Sequence, residues 1–258
     1  MSIKVHDQNL YIMNKINLQR LKRGWNRVNI FKRVITPFYP KCPVYVFHHI
    51  PKSGGTSFTQ ILNKWFIVVR DYRKDWSGDH KSVIKIEKLR STHCLAGHWE
   101  LPGVYLEERY PDVFINMRYK VFTFLRDPLE HSLSLYRYEK ENNQTNIQDI
   151  EEHFTIRPNY IATILNADED NYKEIIDRYF FVGILEEMDK SIQILSKLIG
   201  RKYYKLPWIN RTKLDSKTNS EQLSKSTIDT FKEINNVDYL IYNYAFDRLN
   251  SKINDQKS

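Results

Sequence analysis

Cysteine is scarce in this chain, with only Cys42 and Cys94 among 258 residues. That excludes a disulfide framework; one bridge can form, but two free thiols in a reducing compartment fit the count better. Long apolar runs are also missing, and nothing approaches the roughly 18 consecutive apolar residues that cross a bilayer. The opening "MSIKVHDQNLYIMNK" lacks the charged-then-apolar order of a signal peptide, so a cytoplasmic location is expected. Histidine and cysteine have no zinc-like spacing, and no metal is expected. There is no internal repeat, no recognised nucleic-acid motif and no G-x-x-x-x-G-K-[ST] loop. Acid is in the minority: 31 Asp and Glu against 40 Lys and Arg leave a formal charge of +9. The excess favours anionic partners, or serves solubility alone.

What is present is enough for one substantial core, and a single domain over 41–258 is expected after a basic extension over 1–40. In that extension "INLQRLKRGWNRVNIFKRV" carries Arg20, Lys22, Arg23, Arg27, Lys32 and Arg33 and no acid. Leu21, Trp25, Val28, Phe31 and Ile35 recur at helical spacing. Such a helix can lie on a membrane, bind an acidic glycan, or pack its stripe on the main domain. "TPFYPKCP" reads as the linker.

The rest alternates strand and helix. "VYVFHHI" and "YKVFTFL" are short β-branched and aromatic runs, and "RYFFVGI" (178–184) is a third. A helix follows the first through "SFTQILNKWF". After the second, Asp127 and Pro128 form a helix opening as N-cap and first helical residue. "LEEMDKSIQILSKLIG" gives another helix, with Gly200 as its stop. The final helix, over 226–249, would bury Phe231, Ile234, Tyr244 and Leu249, while "ENNQTNIQDIEEH" reads as surface. Strand–loop–helix units of this kind predict an α/β fold, a P-loop-like parallel sheet flanked by helices.

Ligands of open α/β sheets bind beyond the carboxyl ends of the strands, and two motifs fall there. In "HHIPKSGGTSF", Ser53, Gly54, Gly55 and Thr56 can turn backbone N–H groups toward an anion at a helix N-terminus. Lys52 adds a charge, and Thr56 and Ser57 add hydroxyls; a plain capped turn is the bland alternative. In "FLRDPLEHSLSLYRY", Arg126 ends a strand and can grip a phosphate, and Ser134 follows about two helical turns later. Taken alone this is an Arg–Asp surface pair and an ordinary serine. Two anion sites on one sheet edge point to a ligand with two separated phosphates.

These motifs, with "LAGHWEL", "FFVGILEEMDKS", "LPWINRTK" and "INNVDYLIYNYA" following in order, resemble the sulfotransferases over residues 43 to 248. The likeness is nearest to the carbohydrate branch, which includes heparan sulfate 2-O- and 6-O-sulfotransferases and bacterial relatives. It implies the sulfotransferase fold and the donor 3'-phosphoadenosine 5'-phosphosulfate (PAPS). Lys52, Ser53, Gly54, Gly55, Thr56 and Ser57 would hold the 5'-phosphosulfate, and Arg126 and Ser134 the 3'-phosphate. His131 departs from the pattern, since relatives often carry arginine there. The transmembrane anchor of Golgi relatives is absent, which points to a bacterial or viral type of enzyme.

The chemistry so implied is transfer of a sulfuryl group to a hydroxyl of a saccharide or glycan, without metal. Lys52 suits the charge growing on the leaving oxygen. His98 matches the family's proposed catalytic base, with Glu100 in reserve and structural packing beside Trp99 as the alternative. His48, His49 and His93 are outsiders. Asn210, Arg211, Lys213 and Lys217 form either a loop closing over the nucleotide or a solvated basic loop. Arg70, Arg73 and Lys74 with Trp76 form either an acidic-sugar groove or a surface charge run. A P-loop kinase and a non-catalytic polyanion or nucleic-acid binder are the rival readings, although no nucleic-acid partner is expected.

Overall fold

The structure, a computed structural model, describes residues 42–73, 80, 82–206 and 223–254. The basic extension, Lys74 with Trp76, and the loop carrying Asn210, Arg211, Lys213 and Lys217 lie outside the described residues. Among the described residues there are five strands: β1 (Val44–His48), β2 (Ile67–Asp71), β3 (His93–Gly97), β4 (Tyr119–Leu125) and β5 (Phe181–Ile184). They form one sheet in the order β2-β3-β1-β4-β5, and every pairing is parallel. Parallel sheets are covered on both faces, which is why β1 and β5 are buried at every residue.

Helices α1 (Gly55–Trp65), α2 (Leu106–Arg109), α3 (Pro128–Glu141), α4 (Ile150–Ile156), α5 (Tyr160–Leu165) and α6 (Tyr172–Arg178) carry the connections. They are followed by α7 (Met188–Leu198), α8 (Lys225–Ile234) and α9 (Asn236–Asn254). Phe58, Ile61, Leu62 and Trp65 form the buried stripe of α1, and Phe58 meets Phe47 of β1 edge-on at 5.2 Å. From β1 the chain runs outward to β2, returns to β3, then crosses β1 to reach β4 and β5. The crevice therefore opens between the carboxyl ends of β1 and β4, where the connections diverge. Register keeps these ends level, with His48 beside Gly97 of β3 and Thr123 of β4.

Several expectations need correction. The strand read over 178–184 begins at Phe181, because Arg178 still belongs to α6. The final helix is two helices meeting at Asn235. Asn235 donates from Nδ2 to the Phe231 carbonyl at 2.9 Å, and its Oδ1 accepts from the Asn159 N–H at 2.9 Å. The buried stripe of α9 is Val237, Ile241, Ala245 and Leu249, at i, i+4 spacing; Phe231 packs instead with Leu129, Leu133 and Phe154. The segment read as surface contains the start of α4, whose His153 is buried and bonds Glu139 at 2.8 Å. Cys94 is a buried free thiol, and Cys42 is free but only half-buried. No helix among the described residues is long and apolar enough to cross a membrane.

Candidate functional site

The loop leaving β1 makes a compact turn. The Ser53 N–H reaches back to the Ile50 carbonyl at 3.4 Å, and Lys52 and Gly54 both lie in the left-handed region, at φ 62° and 79°. That conformation is free for glycine and strained for lysine. The first intrahelical bond of α1 runs from the Phe58 N–H to the Gly54 carbonyl at 3.0 Å. The amides of Gly54, Gly55 and Thr56 precede it, so the helix offers them no acceptor, and they form the positive end of the helix. Ser53 is buried, and its Oγ has no hydrogen-bond partner. A buried hydroxyl left this way costs about 1–3 kcal/mol, which an anion accepting from it would recover. Thr56 is exposed and Ser57 half-buried.

The second motif faces this loop. Arg126 follows β4 and donates to the Lys52 carbonyl at 3.5 Å and to Glu130 at 3.2 Å. Asp127 does not pair with it. The Asp127 carboxylate caps α3 by accepting from the Glu130 N–H at 3.0 Å, with Pro128 at the first helical position. Glu130, Ser134 and Tyr138 recur at i, i+4 on α3, and the ammonium of Lys52 lies 4.2 Å from the Tyr138 ring centre. Ser134 thus sits on one helix face between the partner of Arg126 and the partner of Lys52. Burial, then Arg126 and Arg137, pull Lys52 below its ordinary pKa. Burial and Arg137 likewise hold Arg126 below its own, against the pull of Glu130 and Glu186. Lys52 and Arg126 are thus each depressed by a neighbouring cation, and such a site has charge to spare for an anion. Arg137 and Tyr138 were not singled out from sequence, though the helical period from Glu130 reaches Tyr138. His131 is buried and donates from Nε2 to the Pro51 carbonyl at 2.8 Å, which pins the loop to α3.

His98, just past β3, lies beside the loop through His49. Its Nε2 is 2.9 Å from His49 Nδ1, and Nδ1 lies 3.8 Å from Glu100 Oε2. Glu100 is ion-paired with Arg73 through its other oxygen. Burial, then His49, Arg73 and His80, push the His98 imidazole far below its ordinary pKa, so it is neutral. Burial raises Glu100, against the pull of Arg73.

The remaining histidines divide. His48 points to the opposite face of the sheet, bonds the Tyr179 hydroxyl at 2.8 Å, and is driven down to about 3 by burial and then by His98. His93 opens β3, at the strand end away from the loop, and accepts from the Arg90 N–H at 3.2 Å. Arg70 is exposed on β2, whereas Arg73 is turned inward to Glu100. Asp71 ends β2 as a structural hub: Arg109 grips both its oxygens at 2.7 and 2.9 Å, and Trp99 and Tyr110 donate to it. Burial works to raise the Asp71 pKa, but these donors hold it below the ordinary value. Among the described residues no group of three or more His, Cys, Asp or Glu is arranged to hold a metal ion.

No protein-family model matches the chain, and no curated protein matches it in sequence. Solved structures match in fold. A sulfotransferase from Alicyclobacillus acidocaldarius aligns over 78% of this chain and 96% of its own, at 14% identity and a TM-score of 0.49. Mouse sulfotransferase SULT7A1 complexed with PAP aligns over 81% of this chain and 91% of its own, at 12% identity and a TM-score of 0.50. The five-stranded parallel sheet between helices is the sulfotransferase fold.

Proposed function

We propose that the protein transfers the sulfuryl group of PAPS to a hydroxyl of a saccharide or glycan. One observation carries this reading: Lys52, Arg126 and the open N-terminus of α1 converge where the buried Ser53 hydroxyl has no partner. That arrangement suits a ligand with two anionic groups, and the mouse neighbour is complexed with PAP. Residues 52–57 would hold the phosphosulfate, and Arg126 with Ser134 the 3'-phosphate. Arg137, which shares the charge field of Lys52 and Arg126, would join them.

In the reaction, the acceptor oxygen attacks sulfur, and its O–S bond forms as the bond from sulfur to the leaving phosphate oxygen breaks. The hydroxyl proton passes to His98. Charge on the leaving oxygen is met by Lys52 and by the amides at the start of α1. Glu100 is the poorer base, because one oxygen is held by Arg73 and the other faces His98. Donor binding would also bring negative charge beside a set of mutually depressed bases, lifting His98 toward a useful range.

The test is a thermal shift with adenosine 3',5'-bisphosphate against ATP with magnesium. Stabilisation by the bisphosphate is expected, and it should vanish in Arg126→Ala. His98→Ala should keep that stabilisation and lose turnover, read as labelled sulfate passed from PAPS to glycans. A shift with ATP and magnesium only would replace this reading with a kinase.

A further inference from the structure

The His49 side chain is held on three sides. Its ring stacks on Phe47 at 5.3 Å with 13° between the planes. It also lies so close to Gly55 that an added Cβ there would fall 1.9 Å from Nε2. Its Nδ1 is 3.1 Å from the Tyr72 hydroxyl and 2.9 Å from His98 Nε2. The ring cannot turn away, so one hydrogen bond must be made between the two imidazoles. Only one of the facing nitrogens can carry the hydrogen when both rings are neutral.

Two features decide which. His49 Nε2 lies over the first residue of α1, where the positive end of the helix favours a lone pair and so leaves the hydrogen on Nδ1. On the other ring, His98 Nδ1 faces Glu100 Oε2 at 3.8 Å, and a carboxylate favours N–H there. The two preferences agree.

We infer that His49 is a positioning residue for the base, its Nδ1–H holding His98 with Nε2 bare and Nδ1–H turned to Glu100. Nε2 is then the nitrogen that receives the acceptor hydroxyl. As that hydroxyl takes its place, the His49 N–H keeps its hydrogen and donates instead to the Tyr72 oxygen, 3.1 Å away. The same contact keeps His98 unprotonated beforehand, because an imidazolium would set N–H against N–H. Among the described residues, the groups facing His98 include His49 after β1, Tyr72 and Arg73 after β2, Glu100 after β3, and His80. The catalytic part rests on the sulfuryl-transfer reading; the hydrogen placement does not.

Long-range proton–nitrogen NMR of the histidine-labelled full chain tests it. Wild-type His98 should be neutral with its hydrogen on Nδ1. In His49→Ala, hydrogen should appear on Nε2, and the titration midpoint should rise by about one pH unit or more. His49→Asn, whose side-chain amide reaches the position of Nδ1, should restore both. A wild-type His98 carrying hydrogen on Nε2, or an unchanged titration in His49→Ala, overturns the inference. In turnover, His49→Ala should lose about tenfold or more with the acid limb of the pH profile shifted, while bisphosphate affinity stays within about twofold. Loss of bisphosphate binding in that variant would assign His49 to supporting the loop instead. Failure of wild type to bind the bisphosphate would remove the sulfuryl-transfer reading, and the imidazole spectra would still decide the hydrogen placement.

Discussion

A methyl group added at Gly55 would land 1.9 Å from His49 Nε2, while one added at Gly54 would meet the ends of the flexible Leu185 and Met188 side chains. The adjacent glycines therefore answer different demands. Gly54 supplies a left-handed backbone at φ 79°, and alanine there should cost about 1–2 kcal/mol, mostly backbone strain. Gly55 starts the helix, where alanine would gain propensity. The gain is overruled, because the His49 ring is wedged between Phe47 and Tyr72 and has nowhere to go. Gly55→Ala should lower stability by about 1–3 kcal/mol in urea titration and displace the His49 and His98 imidazole signals; unchanged signals would refute the wedge. Sequence shows two glycines after a lysine, and it marks the loop. It cannot show that the close approach at Gly55 comes from a histidine six residues earlier.

At the scale of elements, β4 and α3 agree with the sequence reading because their signals are local. An apolar β-branched run ends at Leu125, Asp127 caps and Pro128 presets the first turn. Strands β2 and β3 were missed: "IVVRD" follows α1 with no Gly or Pro between, and "HCLAG" has only a short apolar run. What makes them strands is pairing, with Ile67 registered on His93 and Tyr45 on Cys94. The outer strand β5 shows a further device. Ser191 of α7 is buried, accepts from the Ile184 N–H at 3.0 Å and donates to the Ile184 carbonyl at 3.2 Å. One hydroxyl thus closes the polar end of an edge strand. Ser191→Ala should cost about 1–3 kcal/mol by leaving those groups unpaired. Ser196→Ala, which loses a bond to the Gln193 carbonyl within the same helix, should cost about 1 kcal/mol or less in the same denaturation series. Equal losses would deny Ser191 its role at the strand edge.

The whole molecule carries a pH dependence set by its buried histidines. Burial lowers His48 to about 3 and His49 and His131 to about 4, and depresses His98 as well. An unfolded imidazole takes a proton below about 6.5, whereas these folded ones refuse it until about 4. In that window the unfolded chain holds more protons, so stability is full above the unfolded value and falls as pH drops. His131 alone, from 6.5 to about 4, contributes about 3 kcal/mol. Asp238, buried and raised to about 6, works in the opposite sense between the ordinary carboxylate range and 6. Burial also raises Glu100, Asp127 and Glu186, which work in the same sense as Asp238; the four depressed imidazoles span the wider window up to about 6.5 and set the sign there. Asp71, held low by its donors against burial, adds a loss only below about pH 4. Urea midpoints should therefore rise from about pH 4.5 to 6.5, with roughly two protons or more taken up on unfolding near pH 5. A flat or falling profile would mean that these rings are not buried as described.

The amino-acid order by itself determined the α/β alternation, the loop with its lysine ahead of two glycines, and the arginine at the end of β4. These are short-range matters of propensity, capping and turn chemistry, written within a few residues of where they act. Strand order, the split of the last helix at Asn235, and the contact of His49 with His98 were decided only by tertiary structure. Each depends on which segments pack together across tens of residues, and that is settled by burial and register, not by the neighbours in the chain.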